Sequence, residues 1–336
     1  MSPKESDGRP ESIRQRLRNE FRARGQDVTT ALQRYAVERF LYRLGQSRHR
    51  QRFVLKGATL LAIWGMAYRP TRDIDFTAYG SSDADDLVRD FREICDTPDP
   101  VDQLVFDAGS MTAEPTRDGS EYDGFRIRLR ARLGNSDIAM QIDVGFGNAI
   151  VPGPEETEIR TILGDPPPRI LAYPRESVVA EKLNAMVTLG ERNSRYKDFY
   201  DLYAMANAFD FDMDTLARAV RATFERRRTP MMVELPAPIT APFYASDERR
   251  VQWRAYVTRN DLDNAPADFQ AVGEQLARFL QPVWEQLARD WTWRGLVGAR
   301  RAVASVCGAG AMTRRNRFLC IANRIASSRE RVREAG

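Results

Sequence analysis

Apolar residues recur at helical spacing through residues 10 to 45, with Ile13, Leu17 and Phe21 on one stripe and Leu32, Phe40, Leu41 and Leu44 on another. The spacing predicts two helices broken around Gly25. The period then changes to that of strands. Phe53 to Lys56 is short and apolar, and Asp73 to Ala78 (DIDFTA) alternates, placing Asp73 and Asp75 on one face and Ile74 and Phe76 on the other. A helix over Ala58 to Met66 is expected between them, and a polar helix over Asp83 to Cys95, with Leu87, Phe91 and Ile94 as its apolar face, after them.

The clearest strand is Phe125 to Leu133, FRIRLRARL, in which Phe125, Ile127, Leu129, Ala131 and Leu133 alternate with four arginines. One face is core; the other is a solvated or carboxylate-paired face, with a phosphate-facing role as the alternative. Asp137 to Phe146 alternates in the same way, with Asp143 on its polar face, and Gly134-Asn135 between the two runs predicts a hairpin. Prolines at 152, 154, 166 to 168 and 174 mark a boundary, beyond which the pattern is helical: Glu176 to Leu189, Arg195 to Ala208, Asp214 to Arg227, Arg249 to Val257 and Ala267 to Arg289. The reading divides the chain into N-terminal helices (1–50), a mixed core (51–165), a helical part (170–293) and a basic tail (294–336), open to being a flexible extension.

At 336 residues, with 43% hydrophobic and 29% charged positions, the chain carries a sizeable core and a globular composition. The longest uncharged apolar stretches, Ala58 to Tyr68 and Ala302 to Thr313, fall short of a bilayer span, so no membrane partner is expected. The opening MSPKESDGRPES lacks the apolar run of a secretory signal, and Cys95, Cys307 and Cys320 show no metal spacing; both fit a cytoplasmic protein.

His49, the only histidine, sits in SRHRQR and reads as part of a solvated turn, which sets aside mechanisms built on histidine and leaves carboxylates, lysine, arginine or a bound metal. The formal charge of +4 is local in origin. From Arg294 onward ten arginines face two glutamates, whereas the preceding chain holds 41 basic and 45 acidic residues. The basic pI is a property of the tail and does not make the body a nucleic-acid binder.

Candidate chemistry gathers around Lys56-Gly57-Ala58-Thr59 and Arg72-Asp73-Ile74-Asp75. A strand that ends in a glycine turn and opens a helix directs backbone N–H groups at an anion, for which a triphosphate is the natural guest. Two carboxylates at i and i+2 on a strand repel one another, and hard Mg²⁺ (or Mn²⁺), which shares oxygen ligands with phosphates, relieves the repulsion. Asp143 can supply a third carboxylate, an arrangement suited to in-line attack on an α-phosphate.

In their order, FVLKGATLLAIW, RPTRDIDF, QIDVGFG, YPRESVVAEKLNAMVTLG and SRYKDFYDLY, spread over residues 30 to 230, resemble the AbiEii-type nucleotidyltransferases. These are toxin components of bacterial abortive-infection and toxin–antitoxin systems, related to the MenT enzymes. The resemblance implies an α/β (α+β) fold with a DNA polymerase β-like nucleotidyltransferase core, a mixed sheet flanked by helices, and a helical C-terminal domain. It implies transfer of a nucleotide from an NTP to an acceptor, tRNA in some relatives, and a cognate antitoxin as partner. Carried over by residue, Gly57 and Thr59 belong to the phosphate-binding turn, Asp73 and Asp75 to the metal pair and Asp143 to the third acidic position. Lys182 falls at the triphosphate lysine and Asp198 at the acidic residue of the KDxxD segment.

One departure stands out. Related enzymes commonly carry Gly-Ser or Gly-Gly where this chain has Gly57-Ala58. Ala58 offers no hydroxyl; Thr59 or backbone N–H groups would take its place. Lys182 has a plain alternative as a surface ion pair, and Asp198 as a dipole-favoured residue near a helix start. Lysine scarcity supports function: three of the four lysines, Lys56, Lys182 and Lys197, fall in these motifs. Two other readings remain open, a catalytically silent nucleic-acid or partner binder on the same fold and an NTP-dependent protein phosphotransferase.

Overall fold

The computed structural model describes residues 9–22, 27–66, 73–116, 124–262 and 264–307, with side chains described as far as 289. Gly25, Arg72 and the tail from 308 onward lie outside the described residues. Helices α1 (Arg9–Arg22) and α2 (Val28–Gln46) come first. Asp27 caps α2 by accepting the Thr30 N–H at 2.9 Å. Strand β1 (Phe53–Lys56), helix α3 (Gly57–Ile63), strand β2 (Asp73–Ala78) and helix α4 (Ala84–Asp96) follow in the order the periodicity predicts.

Strands β3 (Leu104–Thr116), β4 (Gly124–Leu133), β5 (Ser136–Phe146), β6 (Glu155–Glu158) and β7 (Arg169–Ala172) complete a seven-stranded mixed sheet in the order β3-β4-β5-β2-β1-β7-β6. The β4–β5 hairpin closes at Leu133↔Ser136, with Gly134 at φ +58° in the turn. Helices cover the sheet, so the fold is the mixed sheet flanked by helices that the resemblance implies.

Alternation along β2 sets the two faces. Ile74 and Phe76 point into an aromatic core in which Phe53 lies 5.8 Å from Phe76 and 5.0 Å from Phe91, and Phe40 lies 5.7 Å from Phe91. Burial of each such ring contributes about 1.5–3 kcal/mol, and it holds α2 and α4 against that face. Asp73, Asp75 and Thr77 therefore point to the other face.

Three elements depart from the periodicity. Strand β3 carries a bulge between Asp107 and Thr112, where Asp107 Oδ1 accepts the N–H groups of Gly109 and Ser110, so its alternation breaks at an exposed sheet edge. Strand β7 follows the prolines at 152, 154 and 166 to 168 and inserts in parallel beside β1, and Pro174 then stands at the start of the first helix after the sheet. His49 is 8% exposed rather than solvated: Nε2 lies 2.7 Å from Glu93 and Nδ1 3.6 Å from Asp90.

The helices after β7 are α5 (Arg175–Leu189), α6 (Tyr196–Ala208), α7 (Met213–Arg226), a short α8 (Ala241–Ala245), α9 (Asp247–Arg259) and α10 (Phe269–Cys307). Helix α10 runs past Arg294 without interruption, and a division of the chain at Glu285/Gln286 falls inside it. No helix among the described residues is long and apolar enough to cross a membrane.

Candidate active site

The register places four charged residues in one row across the sheet. Lys56 on β1 pairs with Asp75 on β2, Asp75 with Asp143 on β5, and Asp143 with Arg126 on β4. Directly opposed residues share a face, so two carboxylates stand side by side between two cations, with Asp73 two residues along on the same face. Burial pushes the Asp75 carboxyl up to about 6; Lys56 works against that shift, while Asp143 and Asp73 add to it. The carboxylates thus feel one another, as the i, i+2 spacing implies.

Gly57 makes this geometry possible. Lys56 ends β1 in extended conformation and α3 begins at the next residue, which requires φ +74° at Gly57. The chain there runs directly against Asp75. Thr59 is committed inward, its hydroxyl donating to the Asp73 carbonyl at 3.1 Å.

Beyond the row, Lys56 reaches Glu181 on α5, Nζ to Oε2 at 3.4 Å. A chain of hydrogen bonds anchors that glutamate from behind. Asn148 donates to Thr77 Oγ1 at 2.8 Å, so the Thr77 hydroxyl donates to Tyr173 Oη at 2.7 Å, and Tyr173 donates to Glu181 Oε1 at 3.1 Å. Burial opposes ionisation of Glu181, but Lys56 and Arg227 outweigh it and the carboxyl lies below its ordinary value.

Lys182 and Asp198 meet, in a place the sequence does not suggest. The Lys182 side chain is 13% exposed, and Nζ donates to Asp198 Oδ1 at 3.1 Å and to Asp201 Oδ2 at 2.6 Å, while Arg195 Nε donates to the other Asp198 oxygen at 2.7 Å. Burial works against the ammonium, yet Asp201 and Asp198 together raise its pKa above the ordinary value; Asp198 is lowered in turn because Lys182 and Arg195 outweigh its own burial. This is a largely buried ion cluster, not a surface pair. Lys197, one residue before Asp198, acts electrostatically on both Asp198 and Asp75 and links the cluster to the sheet row. Residues outside the sequence-derived set therefore belong to this region, among them Lys56, Arg126, Glu181, Lys197 and Asp201. Lysine scarcity pointed at Lys56, and the i, i+3 spacing from Asp198 pointed at Asp201.

Among the described residues, no three His, Cys, Asp or Glu side chains converge closely enough to hold a metal ion. Asp143 is turned to Arg126, which grips it with Nε to Oδ1 and Nη2 to Oδ2, both at 2.8 Å. Asp73 and Asp75 nevertheless fit a Mg²⁺ site in their chemistry, since that ion is commonly held by one or two carboxylates and completes its shell with phosphate oxygens and water. The arginine face of β4 is carboxylate-paired at Arg126 with Asp143 and at Arg128 with Glu114.

The sequence model of a protein family described as nucleotidyl transferase AbiEii toxin, type IV toxin–antitoxin system, matches residues 39–275. No curated protein matches the chain significantly in sequence. Among solved structures, JHP933 from Helicobacter pylori is similar at 16% identity and a TM-score of 0.41, over 77% of this chain and 94% of that one. A candidate nucleotidyltransferase from the same organism is similar at 16% identity and a TM-score of 0.39, over 75% and 92%.

Proposed function

The chain belongs to the AbiEii nucleotidyl transferase toxin family, and from that premise we propose that it moves a nucleotide from an NTP to an RNA acceptor, tRNA foremost, in a reaction that depends on Mg²⁺ or Mn²⁺. It acts in the cytoplasm as the toxin of a pair and is held in check by a cognate antitoxin. The observation that carries this reading is the row Lys56–Asp75–Asp143–Arg126, with Asp73 on the same face.

Asp73 and Asp75 would hold the cation, and Asp143 would join them once Arg126 releases it. Bound there, the ion would neutralise the carboxylates and polarise the phosphate oxygens. Gly57 keeps the turn close to Asp75, Thr59 fixes the Asp73 backbone, and Lys56 and Lys197 bring positive charge to the side on which a triphosphate would lie. Asp143, freed from Arg126, would accept the acceptor hydroxyl proton. Lys182 holds Asp198 and Asp201 in place, and contact with the triphosphate would require its ammonium to exchange one of them for phosphate oxygens.

The test is incubation of the purified chain with each NTP, labelled in parallel reactions at the α- or the γ-phosphate, Mg²⁺ and total cellular RNA. Label on RNA supports the proposal. Label passing to protein from the γ-position instead would identify a phosphotransferase. A second reading, a silent binding protein on the same fold, is favoured by the two-point grip of Arg126 on Asp143. Magnesium-dependent NTP binding, measured by calorimetry, separates it from the enzyme.

A further inference from the structure

A cavity of about 580 Å³ opens beside Asp73 and Thr59, between α2, α3 and the segment 158–162. Its size is that of a pocket for a small organic ligand. Val37, Leu41, Ile63 and Trp64 give it apolar and aromatic walls, the kind of surface on which a flat heterocycle stacks. Arg34, Asp73, Glu158 and Arg160 add charged groups to its lining, and Glu38 is the buried one with an oxygen to spare. Glu38, 5% exposed, lines the cavity; its Oε2 accepts the Ile162 N–H at 2.7 Å, while its Oε1 is buried without a hydrogen-bond partner.

A buried carboxylate oxygen left unpaired is costly, and a small turn of the Glu38 side chain toward the cavity it lines would let a ligand donor remove that cost. We propose that this cavity receives the base of the incoming nucleotide and that Glu38 selects bases bearing an exocyclic amino group, whose N–H donates to Oε1. The inference rests on the nucleotidyltransferase reading, because the pocket is lined by Asp73, the first residue of the proposed metal pair, and by Thr59 beside it. Cytosine and uracil separate the cases cleanly: at one ring position cytosine carries an amino donor and uracil a carbonyl acceptor, which a carboxylate repels. Burial pushes the Glu38 carboxyl up to about 7; Asp165 adds to the shift, while the Ile162 N–H, Arg39 and Arg34 work against it.

The experiment is calorimetric binding of CTP and UTP, with Mg²⁺ at pH 8, to the full chain and to Glu38→Gln. The wild-type chain should prefer CTP by roughly tenfold or more, the worth of one hydrogen bond to a charged group. The glutamine can give its oxygen to Ile162 and turn its amide N–H₂ to the base, so the variant should prefer UTP. Val37→Phe, which fills the cavity, should weaken both nucleotides while leaving binding of inorganic tripolyphosphate unchanged; this arm holds even if Glu38→Gln fails to fold. Equal affinities in the wild type, or a ratio unmoved by Glu38→Gln, would overturn the base pocket alone. A ratio that shifts only for RNA oligonucleotides ending in C rather than U would also overturn it, assigning the cavity to the acceptor. If the wild type binds no triphosphate at all, the nucleotidyltransferase reading falls with it.

Discussion

Gly57 backs directly on to the Asp75 carboxylate: a β-carbon at position 57 would stand 2.6 Å from Asp75 Cγ and 2.8 Å from its Cβ. With φ +74° at the same residue, both space and backbone conformation demand glycine where β1 turns into α3. Gly57→Ala is expected to cost at least about 1 kcal/mol from the backbone alone, with displacement of Asp75 in addition. Melting temperature and transfer of α-label should both fall. An alanine variant with wild-type values in both would remove Gly57 from the site.

Asp73→Asn and Asp75→Asn should each reduce nucleotide transfer by about a hundredfold or more, the loss of several kcal/mol of metal-assisted stabilisation. Asp75→Asn should at the same time raise the melting temperature of the metal-free protein, since it removes a half-buried charge set beside Asp143. Transfer at the wild-type rate in either variant would refute the assignment of the pair.

Lys182→Ala leaves Asp198 and Asp201 buried without their shared cation, so a loss of about 3–5 kcal/mol in stability is expected. Lys182→Met combined with Asp198→Asn and Asp201→Asn should recover much of it. Denaturant unfolding of the two variants measures the difference. Calorimetry with NTP on the recovered triple variant then tests the triphosphate role, and wild-type affinity there would reduce Lys182 to a structural cation.

Arg126→Gln should free Asp143 of its two-point partner and lower the Mg²⁺ concentration needed for half-maximal NTP binding. A Mg²⁺ requirement equal to or higher than that of the wild type would show that the arginine does not compete for the carboxylate.

Stability should fall as pH rises from about 4.5 to about 7. Glu38, with an ordinary value of 4.5, is held up at about 7 in the folded protein; the unfolded chain therefore loses its proton first, and ionisation favours unfolding across that window. Asp102 and Asp75, raised to about 7 and about 6, act with the same sign. The lowered carboxyls Asp198 and Glu181 act oppositely, their stabilisation lost only as pH falls below the ordinary carboxylate range. Melting temperatures from pH 5 to 8 should decline less steeply in Glu38→Gln than in the wild type. Parallel slopes would remove Glu38 as a contributor.

Much of the frame was legible because it is written in local periodicity. The strands Phe53–Lys56 and Asp73–Ala78 occur at the bounds their patterns predict, and the 133/136 hairpin follows from Gly134-Asn135. Elements that lack a local signature were not legible. Strand β3 is broken by a bulge, β6 and β7 have four residues each, and β7 is held as a strand by pairing with β1 on one side and β6 on the other. His49 reads as solvated among arginines because nothing within its own segment reveals that Asp90 and Glu93 of α4 close over it.

By itself, then, the sequence determined which side chains share a face: Asp73 with Asp75, Asp143 opposite Ile142, Asp198 with Asp201. Those relations depend on the periods of 2.0 and 3.6 residues and on nothing further along the chain. Only the tertiary structure decided which faces meet. Register aligned Lys56, Asp75, Asp143 and Arg126 across four strands, packing set Lys182 between two aspartates of a neighbouring helix, and Glu38 came to line a cavity beside Asp73. Such long-range pairings are set by the sum of burial and hydrogen bonding over the whole core, a quantity that no short window of sequence contains.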